Sequence, residues 1–181
     1  PEVVTKVATA AGNWLKLETS ARAIGMGGAF VAAGEGISGI PYNPASIAFI
    51  KKSEGYYSRS NYIAGITHNV MSYGLKLGSS DYFGAHLFYL DSGLMDVTNE
   101  WYPDGTGEEF KVISMAFRMT YGRRMTDRLK LGVSINYIRD EIYTTAMQTL
   151  AFDVGSNFDT GIYGFILGMS VTNFGPEVRY H

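Results

Sequence analysis

Apolar and polar positions alternate with a period of two along most of this chain. In RLKLGVSINYI (128–138), Leu129, Leu131, Val133, Ile135 and Tyr137 alternate with Lys130, Gly132, Ser134 and Asn136. In VISMAFRMTYG (112–122), Ile113, Met115, Phe117, Met119 and Tyr121 share one face, opposite Ser114, Ala116, Arg118 and Thr120. The pattern recurs over 70–77, 81–90, 148–158 and 162–175, and more weakly near 54–63. It predicts about seven β-strands with two unlike faces. Tight turns are expected at 78–81, 125–128 and 159–161, a bend near 63–65, a looser polar link at 139–147 and a long link at 91–110. Up-and-down strands with short turns at one end and longer loops at the other are the pattern of an outer-membrane barrel.

The two faces sharpen this. A soluble sheet shows Lys, Glu and Thr on its solvent face. Here the second face is mostly Gly, Ser, Ala, Thr and Asn, which suits a crowded or water-filled lumen. Tyr73, Tyr89, Tyr121, Tyr137 and Tyr163 lie where interfacial girdles would fall. A membrane barrel is favoured, and a soluble β-sandwich or barrel is the alternative. Seven is an odd count, whereas bacterial single-chain barrels use even numbers. Either a further strand lies within 91–110, or the chain stops before the barrel closes; an unclosed edge in lipid leaves backbone groups unpaired.

Composition agrees with this picture. Charged residues make up 18 % of the 181 residues, below the roughly 25 % of soluble domains. There are 13 Tyr, 10 Phe and 22 Gly. A net charge of −2 gives no basic field for nucleic acid. The absence of Cys removes disulfides, thiolate metal sites and cysteine nucleophiles. No run approaches the ~18–20 apolar residues of a transmembrane helix, which leaves a barrel open. The first residue is Pro1, so a signal peptide is expected to have been removed already.

Before the strands lies ARAIGMGGAFVAAGEGISGIPYNPAS (21–46), rich in Gly and Ala and nearly free of charge. Such a segment suits a plug threaded close to strand backbones, where larger side chains would clash. Low charge avoids the cost of burying ions. Asn43 before Pro44 reads as an N-cap opening a short helix through ASIAF. Arg22 is a lone cation expected to meet an acidic lumen group, with Asp153 the nearest guess. The expected division is 1–50, N-terminal segment and lumen plug, and 51–181, barrel strands.

ARAIGMGGAFVA, then Asn43-Pro44-Ala45, DGTGEEF (104–110), AFDVG (151–155) and VTNFGPE (171–177) together resemble the PorV/PorQ family, which is similar to the fatty-acid transporter FadL. The match runs in order over nearly the whole chain. The resemblance implies an antiparallel barrel of about fourteen strands, within the even counts of such barrels, with an N-terminal plug bearing Arg22, Met26, Gly27, Gly28, Asn43, Pro44 and Ala45. The chain would then supply half of it, with as much sequence again expected past His181. The resemblance also implies an outer-membrane protein of type IX secretion. PorV-type members sit beside the secretion channel, receive the C-terminal signal domain of cargo proteins and carry them to an attachment complex. PorV proteins proper carry a more acidic MGD and a WNPAK form of the plug motif. This chain has Met26-Gly27-Gly28 and Tyr42-Asn43-Pro44-Ala45-Ser46, and so looks like the broader family. A FadL-like channel for hydrophobic molecules and a structural envelope barrel are the alternatives.

Chemistry adds little. Phe158-Asp159-Thr160-Gly161 has the aspartic-protease signature, but between two alternating strands it is a natural tight turn. GMGGAF lacks the third glycine and the βαβ setting of a dinucleotide fingerprint. The three His have no metal-ligand spacing. No catalytic residue, metal or cofactor is expected, although lipid or detergent would bind. Lys76, His86, Arg118 and Asp153 are lumen candidates, for a ligand or for an interior ion pair that fastens the plug. Trp101, Tyr102 and Asp104, in NEWYPDGTGEEF, are the candidates for contact with protein partners of a secretion or envelope assembly. Trp101 would serve equally as a membrane-interface anchor.

Overall fold

A computed structural model describes residues 12–142 and 145–176. Seven antiparallel strands form one sheet in chain order. They are β1 (Ser53–Asn61), β2 (Thr67–Lys76), β3 (Asp81–Asp96), β4 (Glu109–Arg124), β5 (Leu129–Ile142), β6 (Thr145–Asp159) and β7 (Ile166–Phe174). The up-and-down order follows from the short links, which let each strand pair with its successor. The expectations at Pro1, Glu177 and His181, and residues 143–144 of the 139–147 link, lie outside the described residues.

Three boundaries differ from those the pattern predicts. No strand lies in 97–108; instead β3 and β4 lengthen into the expected loop and pair up to Asp96 and Glu109. Most of the expected polar link at 139–147 is strand, because Arg139, Asp140, Glu141 and Ile142 stay in register with Gln148, Met147, Ala146 and Thr145. The strand expected from 162 starts at Ile166. Tyr163 (φ 51°) and Gly164 (φ 73°) are left-handed, so Thr160 to Phe165 form a turn in which Thr160 N donates to Phe165 O at 3.1 Å. The turn after β6 is therefore longer than Asp-Thr-Gly alone. Within it Gly161 N donates to the Asp159 carboxylate at 2.8 Å, so Asp159-Thr160-Gly161 is a turn, as its position between strands suggested.

One face of the sheet, here called inner, is covered by residues 12–50. Buried along it are Val70, Phe88, Ala116, Ile138 and Ala151, with Trp14 and Leu15 packed on them. Nearer the turns after β2, β4 and β6 a second cluster joins Ile37, Ile40, Ile47, Ala48 and Ile50 to Tyr82. The other face is apolar and bare: Tyr73, Phe117, Met119, Val133, Ile135, Phe152, Val154 and Met169 are all exposed.

Glycines on the inner face set how close the covering segment comes. Gly74 pairs with Gly84, Gly122 with Gly132, and Gly132 with Gly155. Together they form a stripe across β2 to β6 near one end of the sheet. The 3-10 helix Pro44–Phe49 lies on this stripe. A Cβ on Gly132 would lie 2.5 Å from the Ala45 nitrogen, and Cβ atoms on Gly122 and Gly155 would collide with Ile47 and Asn43. Gly168 in β7 receives Ala32 the same way, at 2.6 Å from its Cα.

Gly132→Val is therefore expected to lower thermal stability by about 1–3 kcal/mol through overpacking and to make residues 12–50 protease-sensitive. Gly55→Ala, with no atom within 4 Å of the added carbon, is expected to do neither. Limited proteolysis alongside thermal unfolding checks this, and equal behaviour of the two variants contradicts it.

Candidate functional site

The inner face and its covering segment form the only built interior among the described residues, and the segment is pinned along its length. At one end Trp14 Nε1 donates to Asp140 at 2.5 Å. In the middle Tyr56 donates its hydroxyl to Thr19 O at 2.7 Å, and Ser170 Oγ donates to Tyr42 O at 2.7 Å. At the stripe Asn43 is wholly buried. Its Nδ2 donates to Val31 O at 2.9 Å, Ser156 O at 3.0 Å and Asn157 Oδ1 at 3.1 Å, while its Oδ1 accepts from Ala45 N at 3.0 Å. Asn43 thus caps the helix that Pro44 opens and also ties the segment to β6. Tyr42 donates its phenol to Glu18; burial first, and this hydrogen bond second, push the phenol up to about 12.

Arg22 does not meet Asp153. It is exposed, and its guanidinium lies 5.5 Å from the centre of the Phe30 ring. The physical reason is that Asp153 is already taken by a cation from the sheet itself. Arg118 Nε lies 3.1 Å from Asp153 Oδ2, with both side chains buried. Asn136 bridges them: Arg118 donates to its oxygen at 2.6 Å, and its amide donates to both Asp153 oxygens at 2.9 Å. Asp153 also accepts from Asn173 N at 2.6 Å. Asn173 sits at φ 56°, in a bulge where Thr172 and Asn173 oppose Asp153 alone. The ion pair therefore ties four strands, β4 to β7, to one another; none of these bonds reaches residues 12–50.

The remaining lumen candidates lie along the same face. His86 is buried, pairs across strands with Arg118, and its Nδ1 shares a hydrogen bond with Ser72 Oγ at 2.7 Å. Lys76 stands apart, its ammonium 5.8 Å from the centre of the Tyr82 ring. Met26, Gly27 and Gly28 close the short helix α1 (Ala21–Gly25), where Gly27 (φ 62°) and Gly28 (φ 80°) take left-handed conformations that favour glycine. Asn136, Asn157, Asn173 and the glycine stripe were not singled out from the sequence. For Asn136, Asn157 and the glycines the available signal was their shared parity on the polar face of successive strands; Asn173 has the parity of Val171 on the apolar face, and only the bulge turns its N–H to Asp153.

At the opposite end of the sheet from the stripe, the β3–β4 link carries the partner candidates. Asn99 Oδ1 accepts from Trp101 N at 2.9 Å and Tyr102 N at 2.8 Å. This fixes a turn in which Trp101, at 85 % exposure, and Tyr102 face outward, with Asp104 exposed beside them.

The family model for the type IX secretion system protein PorV matches residues 2–181, the whole of this chain but its first residue. The chain belongs to the PorV family. Its role is accordingly one associated with type IX secretion. The family model matches despite Gly28 and Tyr42. No curated protein matches the chain. In this PorV-family chain the buried polar residues hold strand to strand and residues 12–50 to the sheet, and Trp101 and Tyr102 lie exposed in the β3–β4 turn.

Asp153→Asn is expected to destabilise the protein by about 3–5 kcal/mol, because it leaves the Arg118 charge buried without its counter-ion. The double variant Asp153→Asn, Arg118→Met is expected to recover part of the loss. Denaturant unfolding of the four proteins of this cycle measures it, and a double variant less stable than Asp153→Asn contradicts it.

Proposed function

We propose that this PorV-family chain forms part of an outer-membrane β-barrel that serves type IX secretion by binding protein partners rather than by chemistry. In this reading the sheet is an arc of the barrel wall. Residues 12–50 are its plug, and the β3–β4 turn faces outward toward partners of the secretion assembly.

One observation carries the reading. The face not covered by residues 12–50 is apolar and exposed strand after strand, with Val133, Ile135, Phe152, Val154, Leu167 and Val171 among its members. Exposed apolar surface on this scale requires a cover, and strands of 9 to 16 residues are long enough to cross the hydrocarbon core, which needs ~9–11. Lipid outside and small polar groups inside is the partition of a transmembrane barrel. Further strands would then pair with the free edges of β1 and β7, since lipid offers those backbone groups no partner. Trp101 and Tyr102 supply rigid aromatic contact area of the kind that dominates protein interfaces. A FadL-like channel would need the Pro44–Phe49 helix to leave its stripe, against the buried bonds of Asn43.

Val133→Arg and Val154→Arg are expected to cost about 2–4 kcal/mol near the bilayer midplane. They should sharply reduce the folded, heat-modifiable form recovered from outer membranes. A chain that purifies as a soluble monomer without detergent, with both variants unaffected, contradicts the membrane reading. Trp101→Ala with Tyr102→Ala is expected to lower co-purification of type IX components by about tenfold or more, as loss of an aromatic anchor pair does, with heat-modifiable migration unchanged. Undiminished co-purification contradicts the partner reading alone.

A further inference from the structure

Between residues 12–50 and the inner face lies a cavity of about 270 Å³. Trp14, Leu17, Val31 and Phe88 give it apolar walls. Arg118, Thr19, Glu18 and Tyr42 give it polar ones. Two of these polar groups are left over: Arg118 Nη1 and Thr19 Oγ1 are buried, and neither has a hydrogen-bond partner among the described residues. Arg118 is 4 % exposed. A buried donor left unsatisfied is costly, so such an atom beside a cavity marks a place where an acceptor is missing.

Charge decides what kind of acceptor fits. The Arg118 charge is already met by Asp153 at 3.1 Å. Lys16 and Glu18, of opposite sign, both line the cavity. An added anion would face the Glu18 carboxylate, and an added cation would face Arg118 and Lys16. An uncharged oxygen meets neither penalty. The phenol of Tyr42, pushed up to about 12 by burial and by its bond to Glu18, reports the same resistance to negative charge on this wall.

We propose that this cavity binds a small uncharged amphiphile. Its carbonyl or hydroxyl oxygen accepts from Arg118 Nη1 and meets Thr19 Oγ1, and its short chain lies on Trp14, Leu17, Val31 and Phe88. The cavity is slightly smaller than the ~300 Å³ at which sites for drug-sized ligands begin, which limits the chain to a few carbons. The site is independent of the β3–β4 turn, so failure of the partner reading leaves it standing.

The test is calorimetric titration of the full-length protein in lipid nanodiscs with hexanamide, hexanoate and hexylamine. These share one chain and differ in head charge, and empty nanodiscs correct for partitioning into lipid. Hexanamide is expected to bind at a single site, about tenfold or more tighter than either charged homologue. Thr19→Val is expected to weaken it several-fold, and Val31→Phe, which fills the cavity, to abolish it. Neither variant touches the Arg118–Asp153 pair, so both are expected to keep heat-modifiable migration; if Val31→Phe fails to fold, Thr19→Val carries the test. Hexanoate binding as tightly as hexanamide overturns the uncharged head. Hexanamide heats equal to those of empty nanodiscs, or unchanged by Thr19→Val, overturn the site and leave a water-filled cavity.

Discussion

The backbone of Pro44 and Ala45 approaches β5 so closely that only glycine fits at position 132. The rest of the architecture depends on that approach. With it, the Pro44–Phe49 helix lies directly on strand backbone, Asn43 reaches the carbonyl of Ser156, and Ile47 fills the space over Gly84 and Gly122. A Cβ at Gly132 would meet the Pro44–Ala45 backbone itself and lift the segment from its buried bonds, because close-packed interiors do not deform gradually, whereas at Gly74 and Gly84 it would meet only the tips of Ile side chains. Low charge in the segment follows from the same geometry: an ion held against strand backbone would have neither water nor room for a counter-ion. Arg22 accordingly stays at the surface, over Phe30.

A second constraint acts further along the inner face. Arg118, Asn136, Asp153 and Asn173 form one connected set of charge-assisted bonds spanning β4 to β7. Buried charged networks of this kind specify one arrangement, because any register slip strands a buried charge. The bulge at Asn173 is part of this set, since its N–H turns inward to Asp153. The glycine stripe thus places the covering segment, and the polar network fixes the register of the wall beneath it. Between the two remains the cavity where Arg118 Nη1 is unpaired.

Much of the fold was legible in the sequence, because strict alternation with large apolar residues on one face leaves little choice of element or face. Ile113 to Tyr121 and Leu129 to Tyr137 are strands on the residues and faces read from the pattern. Boundaries were less legible, for local reasons. Arg139 to Glu141 look like a polar loop, but their backbones pair in register with β6, Arg139 pairs with Glu141 along the same strand, and Asp140 accepts from Trp14 across the fold, which local pattern cannot show. Tyr163 continued the apolar parity into what is a turn, because its left-handed backbone leaves no trace in the alternation. In the candidate site, Arg118 and Asp153 were marked as lumen charges, but their mutual pairing was not chosen. Arg22 was matched to Asp153 because pairing across strands depends on register, and a single sequence gives faces before it gives register.

In the membrane reading proposed above, the two faces of this sheet have different surroundings: lipid on one, residues 12–50 on the other. Residues 1–181 contain no Cys, so a cysteine introduced on either face reports this with no competing thiol among them. In outer membranes of intact cells, the Val133→Cys and Val154→Cys variants are predicted to react with a lipid-confined maleimide and resist a water-soluble one. The Ser134→Cys variant is predicted to resist both until residues 12–50 are deleted, and then to react with the water-soluble reagent. Equal labelling of Val133→Cys and Ser134→Cys by the water-soluble reagent in the intact chain would contradict the account.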